Sequence, residues 1–127
     1  MGCCSDVMEP IVAASCCTPK DTAAQAARAM RDSGCGCAPV VENHETLKLV
    51  GVVTERDLCC SVVATERAPS SVRVQEIMKP ASACCGTDES IEHARAKLHE
   101  HRTTSLPVVD TAGGCCGTVS AHALGRW

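Results

Sequence analysis

Apolar positions along this chain fall into short alternating runs and into stripes at helical spacing. Ala23, Ala26, Ala27 and Met30 are spaced as one face of a helix. Thr22 and Gln25 at its start stand at capping-box spacing, and Gly34 closes it. Pro39-Val40-Val41 then predicts a strand, Glu42 to Lys48 a hairpin, and Gly51-Val52-Val53 a further strand. Thr54-Glu55-Arg56-Asp57 predicts the first turn of a helix, with Thr54 and Asp57 as a second capping box. Ahead of all these, Met8-Glu9-Pro10 predicts a short helical turn stopped by proline, and Ile11 to Cys17 a strand.

The same order of blocks then returns. Ile77-Met78-Lys79-Pro80 repeats Val7-Met8-Glu9-Pro10, and Leu106-Pro107-Val108-Val109 repeats Ala38-Pro39-Val40-Val41. Gly117-Thr118-Val119-Ser120 repeats Gly51-Val52-Val53-Thr54. The offset is 70 residues at the start, 68 in the middle and 66 at the end, a drift that small loop-length changes explain. In the second copy Ala81 to Cys85 predicts the first strand. Ser90 caps a helix with the stripe Ile91, Ala94 and Leu98, and Asp110 to Gly114 is a turn by composition. Each unit reads β-α-β-β-α, so the fold class is mixed α/β (α+β) with an internal repeat. Residues 1–66 form the first repeat, 67–73 a linker with Pro69 and two serines, and 74–127 the second repeat with a short last helix.

Composition narrows this picture. The 127 residues include no Phe, no Tyr and a single Trp, so the core is built from Val, Ile, Leu, Met, Ala and Cys. A formal net charge of −3 argues against nucleic acid or an anionic membrane as partner. No apolar run approaches the roughly 20 residues that span a bilayer. The first six residues lack the features of a secretory signal, so a cytoplasmic location is expected. The twelve cysteines come as five adjacent pairs plus Cys35-Gly36-Cys37, without the Cys-x-x-Cys spacing of zinc sites. Adjacent residues of a strand face opposite ways, so each pair offers at most one thiol to any site. The cysteines are expected to serve as small hydrophobes, with no metal site.

One turn carries candidate chemistry. Thr54-Glu55-Arg56-Asp57 presents free backbone N–H groups that attract anions, and Arg56 adds a fork of donors. Asp57 has the chemistry to accept from two neighbouring hydroxyls, as on a ribose. The plainer reading is that Thr54 and Asp57 only cap a helix and Arg56 is solvated. His99 and His101 are two apart and share no helical face, so metal binding there is not expected. No nucleophile–base or paired-carboxylate arrangement emerges, and no catalytic residue or enzymatic activity is expected.

The two Met-x-Pro openings, the two Pro-Val-Val strands and Gly-Val-Val-Thr-Glu-Arg-Asp-Leu together resemble the tandem CBS (cystathionine-β-synthase) domain, or Bateman module, over essentially the whole chain. The resemblance implies two repeats packed about a pseudo-twofold axis with two clefts between them, and commonly a homodimer. It implies a regulatory module without a cofactor of its own. Such a module binds AMP, ADP or ATP, or alternatively S-adenosylmethionine or NAD, and signals to a protein effector. By resemblance Asp57 takes the ribose, and Thr54 and Arg56 meet phosphate. The base pocket comes from the other repeat, from Ser82 and Ala83 and from Thr104, Ser105, Leu106 and Pro107. Ser82, Thr104 and Ser105 read equally well as ordinary strand-end polarity. The second copy departs from the pattern: its turn is Ser120-Ala121-His122-Ala123, with no carboxylate at the aspartate position. Its cleft is expected to face Ile11-Val12-Ala13 and Cys37-Ala38-Pro39. One competent site is therefore expected. A thiol-based redox or metal-binding module, and a structural adaptor with empty clefts, are the alternatives.

Overall fold

The computed structural model describes residues 2–12 and 15–125. Ala13, placed by the sequence in the second cleft, and Trp127 lie outside them. A helical turn α1 (Cys4–Val7) leads into the two-residue strand β1 (Glu9–Pro10). Helix α2 (Ala23–Ser33) follows, then β2 (Cys37–Val41), β3 (Leu49–Thr54) and the turn α3 (Glu55–Leu58), which a π-helical turn at Cys59–Val63 extends. After a 3-10 turn at Pro69–Ser71 the order returns: α4 (Val74–Ile77), β4 (Lys79–Pro80), β5 (Cys85–Gly86), α5 (Ile91–Glu100), β6 (Ser105–Val109), β7 (Cys115–Ser120) and α6 (Ala121–Leu124).

The caps stand where side-chain chemistry places them. Thr22 accepts from the Gln25 amide at 3.2 Å, and the Gln25 side chain returns to the Thr22 amide at 2.8 Å. Ser90 accepts from the His93 amide at 3.2 Å. Gly34 ends α2 with φ of 69°, a left-handed conformation that glycine adopts without cost. The buried stripe of α2 is Ala23, Ala26, Ala29 and Met30. Ala27, expected inside, is exposed. Alanine is too small to set the phase of a helix, and packing against β2 turns Ala29 inward instead.

The two sheets exchange strands. One has the order β1-β7-β6-β5 and the other β2-β3-β4. Thus β1 of the first repeat lies antiparallel to β7 of the second, with Glu9 opposite Thr118 and Pro10 opposite Gly117. Reciprocally, β4 lies against β3, with Gly51 opposite Pro80 and Val52 opposite Lys79. This reciprocity, and matching register shifts at Val40/Val41 and Val108/Val109, express the pseudo-twofold relation. The first strand of each repeat, expected as Ile11 to Cys17 and Ala81 to Cys85, begins earlier, at Glu9–Pro10 and Lys79–Pro80 where a helical turn was expected, and is interrupted after the proline. A two-residue piece joins the other repeat's sheet. The chain then crosses back, to pair Cys17 with Val40 and Cys85 with Val108. Proline at positions 10 and 80 lacks an N–H and cannot carry a continuous ladder through the crossing.

Strands β2 and β3 pack on β6, and β2 also on β7, so the core is shared. Cys37 and Val52 of the first repeat sit in one cluster with Ala83, Ile91, Leu98, Leu106, Val119 and Leu124 of the second. Val72, Val74 and Ile77 pack into the cluster of α2, β2 and β3. Met8 and Met78 are half-buried against these clusters. Cys4, Cys16, Cys17, Cys37, Cys85 and Cys115 are buried and unbridged, whereas Cys59 and Cys60 are exposed. Burial raises the pKa of Cys17, Cys85 and Cys115 to about 12, the mark of a packed thiol. No helix among the described residues is long and apolar enough to cross a membrane.

Candidate functional site

Strand exchange creates two related junctions between the repeats. Each lies where the last strand of one repeat turns into its short helix, beside the Met-x-Pro strand of the other. At the first, Thr54 ends β3 and is almost fully buried. Its amide donates to Asp57 Oδ2 at 2.8 Å, its hydroxyl donates to the same oxygen at 2.9 Å, and the Asp57 amide approaches Thr54 Oγ1 at 3.3 Å. The other carboxylate oxygen, Oδ1, accepts from Lys79 Nζ at 2.6 Å. Lys79 and Asp57 keep 23% and 13% of their side-chain surface, so the pair is mostly shielded from solvent. Arg56 is exposed. The capping reading of Thr54 and Asp57 is therefore correct, and Oδ1 with a cation beside it is left facing the other repeat.

At the second cleft Ser120 accepts from the Ala123 amide at 3.2 Å, with Ala123 in place of a carboxylate. A cavity of about 620 Å³ opens here. Its walls include Glu9, Cys35, Glu55, Thr104, Ser120 and His122; Asp57 is not among them. A second cavity of about 340 Å³ lies alongside, lined by Pro10, Val12, Ser15, Cys35, Cys37 and Thr118 among others. By the repeat, Glu9 occupies the place that Lys79 holds in the first cleft, so the two clefts differ in the sign of a key charge.

The residues expected to read the base divide. Ser82 is exposed in the turn just after β4, close in sequence to Lys79. Ala83 and Leu106 are core side chains, so only their backbone is open to a ligand. Pro107 is buried opposite Thr118 in the β6–β7 ladder. Thr104 is exposed and belongs to the wall of the second cavity, where its side chain lies against Gly36; a Cβ at Gly36 would collide with it. Ser105 is fully buried, with its Oγ at 3.3 Å from Cys35 Sγ. The structure thus brings together Thr54 and Asp57, with Lys79, and sets Thr104 and Ser105 beside Cys35 and Gly36. Sequence reasoning missed Lys79 and Glu9. The signal was the charge reversal between Met8-Glu9-Pro10 and Met78-Lys79-Pro80.

Cys35 is the exceptional thiol. The Cys37 side chain interacts with it, and the Cys35 Sγ donates to Ser105 Oγ at 3.3 Å and to Thr118 Oγ1 at 3.5 Å. Together they hold its pKa down at about 5 against the upward push of burial. Cys37 is correspondingly pushed up, by its bond to Cys35 first and burial second. Among the described residues no group of three or more His, Cys, Asp or Glu side chains is arranged to hold a metal ion.

The family model for the CBS domain matches residues 4–63 and 74–125. Inosine-5'-monophosphate dehydrogenase of Streptococcus pyogenes is 33% identical over 103 residues. That match covers 81% of this chain but only 20% of the dehydrogenase. Hypoxic Response Protein I, solved with two coordinated zinc ions, superposes with a TM-score of 0.80 at 22% identity, over 98% of both chains. The protein CBSX2, solved in complex with AMP, superposes with a TM-score of 0.77 at 22% identity. It covers 99% of this chain and 95% of its own. Two matched stretches, one for each repeat, establish that the chain belongs to the CBS domain family, as a tandem pair of repeats.

Proposed function

We propose that this CBS pair is a regulatory module without catalytic activity. It binds one adenosine phosphate, AMP, ADP or ATP, in the first cleft and passes that state to a protein effector in the cytoplasm. The observation that carries the reading is the Asp57–Lys79 pair at 2.6 Å, made between one repeat and the other. A ribose diol takes the Asp57 oxygen that Lys79 now holds. The displaced ammonium then turns to the phosphate, joined by the exposed Arg56 of the same turn; the Glu55 and Asp57 amides, expected to be free, are already bonded to the Gly36 carbonyl and to Thr54 Oγ1. An anionic ligand thus returns to Lys79 the partner it removes, and a neutral nucleoside does not. Ser82 and the backbone beside Ala83 face the base; Thr104 to Pro107, expected there from the sequence, do not, since Thr104 lines the second cavity and Ser105, Leu106 and Pro107 are buried. The second cleft, with Glu9 for Lys79 and Ala123 for Asp57, repels phosphate. The neighbour solved with AMP supports the ligand class.

A thermal-shift panel tests this. AMP, ADP or ATP should raise the melting temperature in a concentration-dependent way. Adenosine should raise it less, and S-adenosylmethionine and NAD mark the competing ligand classes. No shift with any adenine nucleotide at millimolar concentration would defeat the reading.

The same module is proposed to work as a homodimer. Val63 is 69% exposed on the π-helical turn beside exposed Cys59 and Cys60, an apolar face that a second copy would cover. Light scattering at micromolar concentration is expected to give about twice the chain mass, and a strict monomer would rule the dimer out.

A further inference from the structure

The two junctions share a backbone plan and differ in charge. At the first, Lys79 of β4 stands opposite Val52 of β3. At the second, Glu9 of β1 stands opposite Thr118 of β7, the repeat mate of Val52. The turns that follow these strands match as well. Ser120 accepts from the Ala123 amide at 3.2 Å, as Thr54 accepts from the Asp57 amide at 3.3 Å. The side chains are where they part. Lys79 is held by Asp57 at 2.6 Å. Ala123 offers Glu9 no such partner, and among the described residues the Glu9 carboxylate makes no hydrogen bond or ion pair. Glu9 also lines space large enough for a ligand. It belongs to the walls of both cavities at the second cleft, of about 620 and 340 Å³. Small-molecule sites run from about 300 to 1,000 Å³, so volume does not close this cleft to a nucleotide.

We infer that Glu9 sets the ligand charge that the second cleft admits: it bars phosphate, and so makes this chain a one-site pair for nucleotides. A fixed negative charge in a concave wall focuses a field that repels an anion of the same sign. Lys79, in the equivalent place, does the reverse. Ala123 removes a ribose partner, but that loss weakens nucleoside and nucleotide alike. Discrimination between them needs a charge. Of the residues that change between the two strands and turns, Glu9 is the one that reverses sign against its mate. Glu55, the other acid in this wall, lies over Gly36 at the entry to β2, whereas Glu9 is on the strand paired with β7, which ends at the Ser120 turn. The inference rests on the nucleotide reading of the first cleft, and its test separates the two.

Isothermal titration of AMP counts the sites. Wild type is expected to take one AMP per chain. Ala123→Asp returns a carboxylate to the second turn, at a half-buried position where it also completes a capping box. With Glu9 still in place, that variant should still take one AMP. Adding Glu9→Lys should bring the count to two. Adding Glu55→Gln instead should leave it at one. Glu9 is exposed, and the unliganded melting curve shows whether each variant folds. Glu9→Gln with Ala123→Asp keeps the shape of the side chain and removes its charge; it carries the test if the lysine variant does not fold, and a second site gained in either supports the inference. The result is read as a difference between variants. No AMP bound by wild type would sink the nucleotide reading, yet a site gained through Glu9 would still stand. A second AMP site in Ala123→Asp with Glu9 present, a second site opened by Glu55→Gln, or no gained site in either Glu9 variant would overturn the inference.

Discussion

Asp57→Ala is expected to weaken AMP binding at least tenfold while the chain stays folded. Charge-assisted hydrogen bonds contribute about 1.5–3 kcal/mol each, and about 1.4 kcal/mol is a factor of ten. A ribose diol makes up to two such bonds to one carboxylate. Asp57 also caps α3 through Thr54 and pairs with Lys79, so some stability goes with it. A lost cap costs about 1 kcal/mol, or several degrees of melting temperature. The unliganded melting curve isolates that cost. The AMP-induced shift, in contrast, should vanish at concentrations that saturate wild type. Lys79→Met should reduce AMP binding and leave adenosine nearly unchanged, since the substitution removes a phosphate partner and frees Asp57 Oδ1. Changing His122, in the opposite cleft, should alter neither ligand's binding. Calorimetry checks all three variants, and equal loss of AMP and adenosine in Lys79→Met would remove Lys79 from the phosphate role.

Gly117→Ala is expected to lower the melting temperature by several degrees or more. A Cβ there would collide with the Glu9 carbonyl oxygen of β1, which is backbone and cannot swing aside. Its repeat mate Gly51 is similarly confined, with Met78 Sδ at 2.7 Å and the Lys79 carbonyl oxygen at 2.8 Å from the same position. Both glycines exist because the other repeat's strand crosses above them. Overpacking typically costs about 1–3 kcal/mol, roughly 4 °C per kcal/mol in a chain of this size. Gly86→Ala is the control: its nearest neighbour would be Asp88 Oδ1 at an ordinary 3.5 Å, and little change is expected. Differential scanning calorimetry of the two variants compares them directly. Equal melting temperatures would mean that β1 is not held against β7.

Much of this was legible in the sequence, for identifiable reasons. The caps at Thr22, Thr54 and Ser90 are local chemistry, and each stands as read. The repeat itself fixed the element order, because two copies voting for the same pattern outweigh weak propensities. What failed was long-range. No local pattern says that Glu9–Pro10 and Lys79–Pro80 leave their own repeat to pair with the other's last strand. A two-residue strand has no periodicity to read. Lys79 was missed for the same reason: its partner Asp57 is on the other repeat. Ala83 and Leu106 were placed at a ligand because of the strands they stand on, yet their side chains go to the core. Ala27 and Ala29 exchanged roles because an alanine-rich helix carries little information about its own buried face.

The central claim is that one cleft of the two takes an adenosine phosphate. Isothermal titration of AMP into wild-type protein, with its stoichiometry, tests it most directly. One AMP per chain is predicted, with that single site lost in Asp57→Ala. Two sites per chain, or one site that survives Asp57→Ala unchanged, would contradict it.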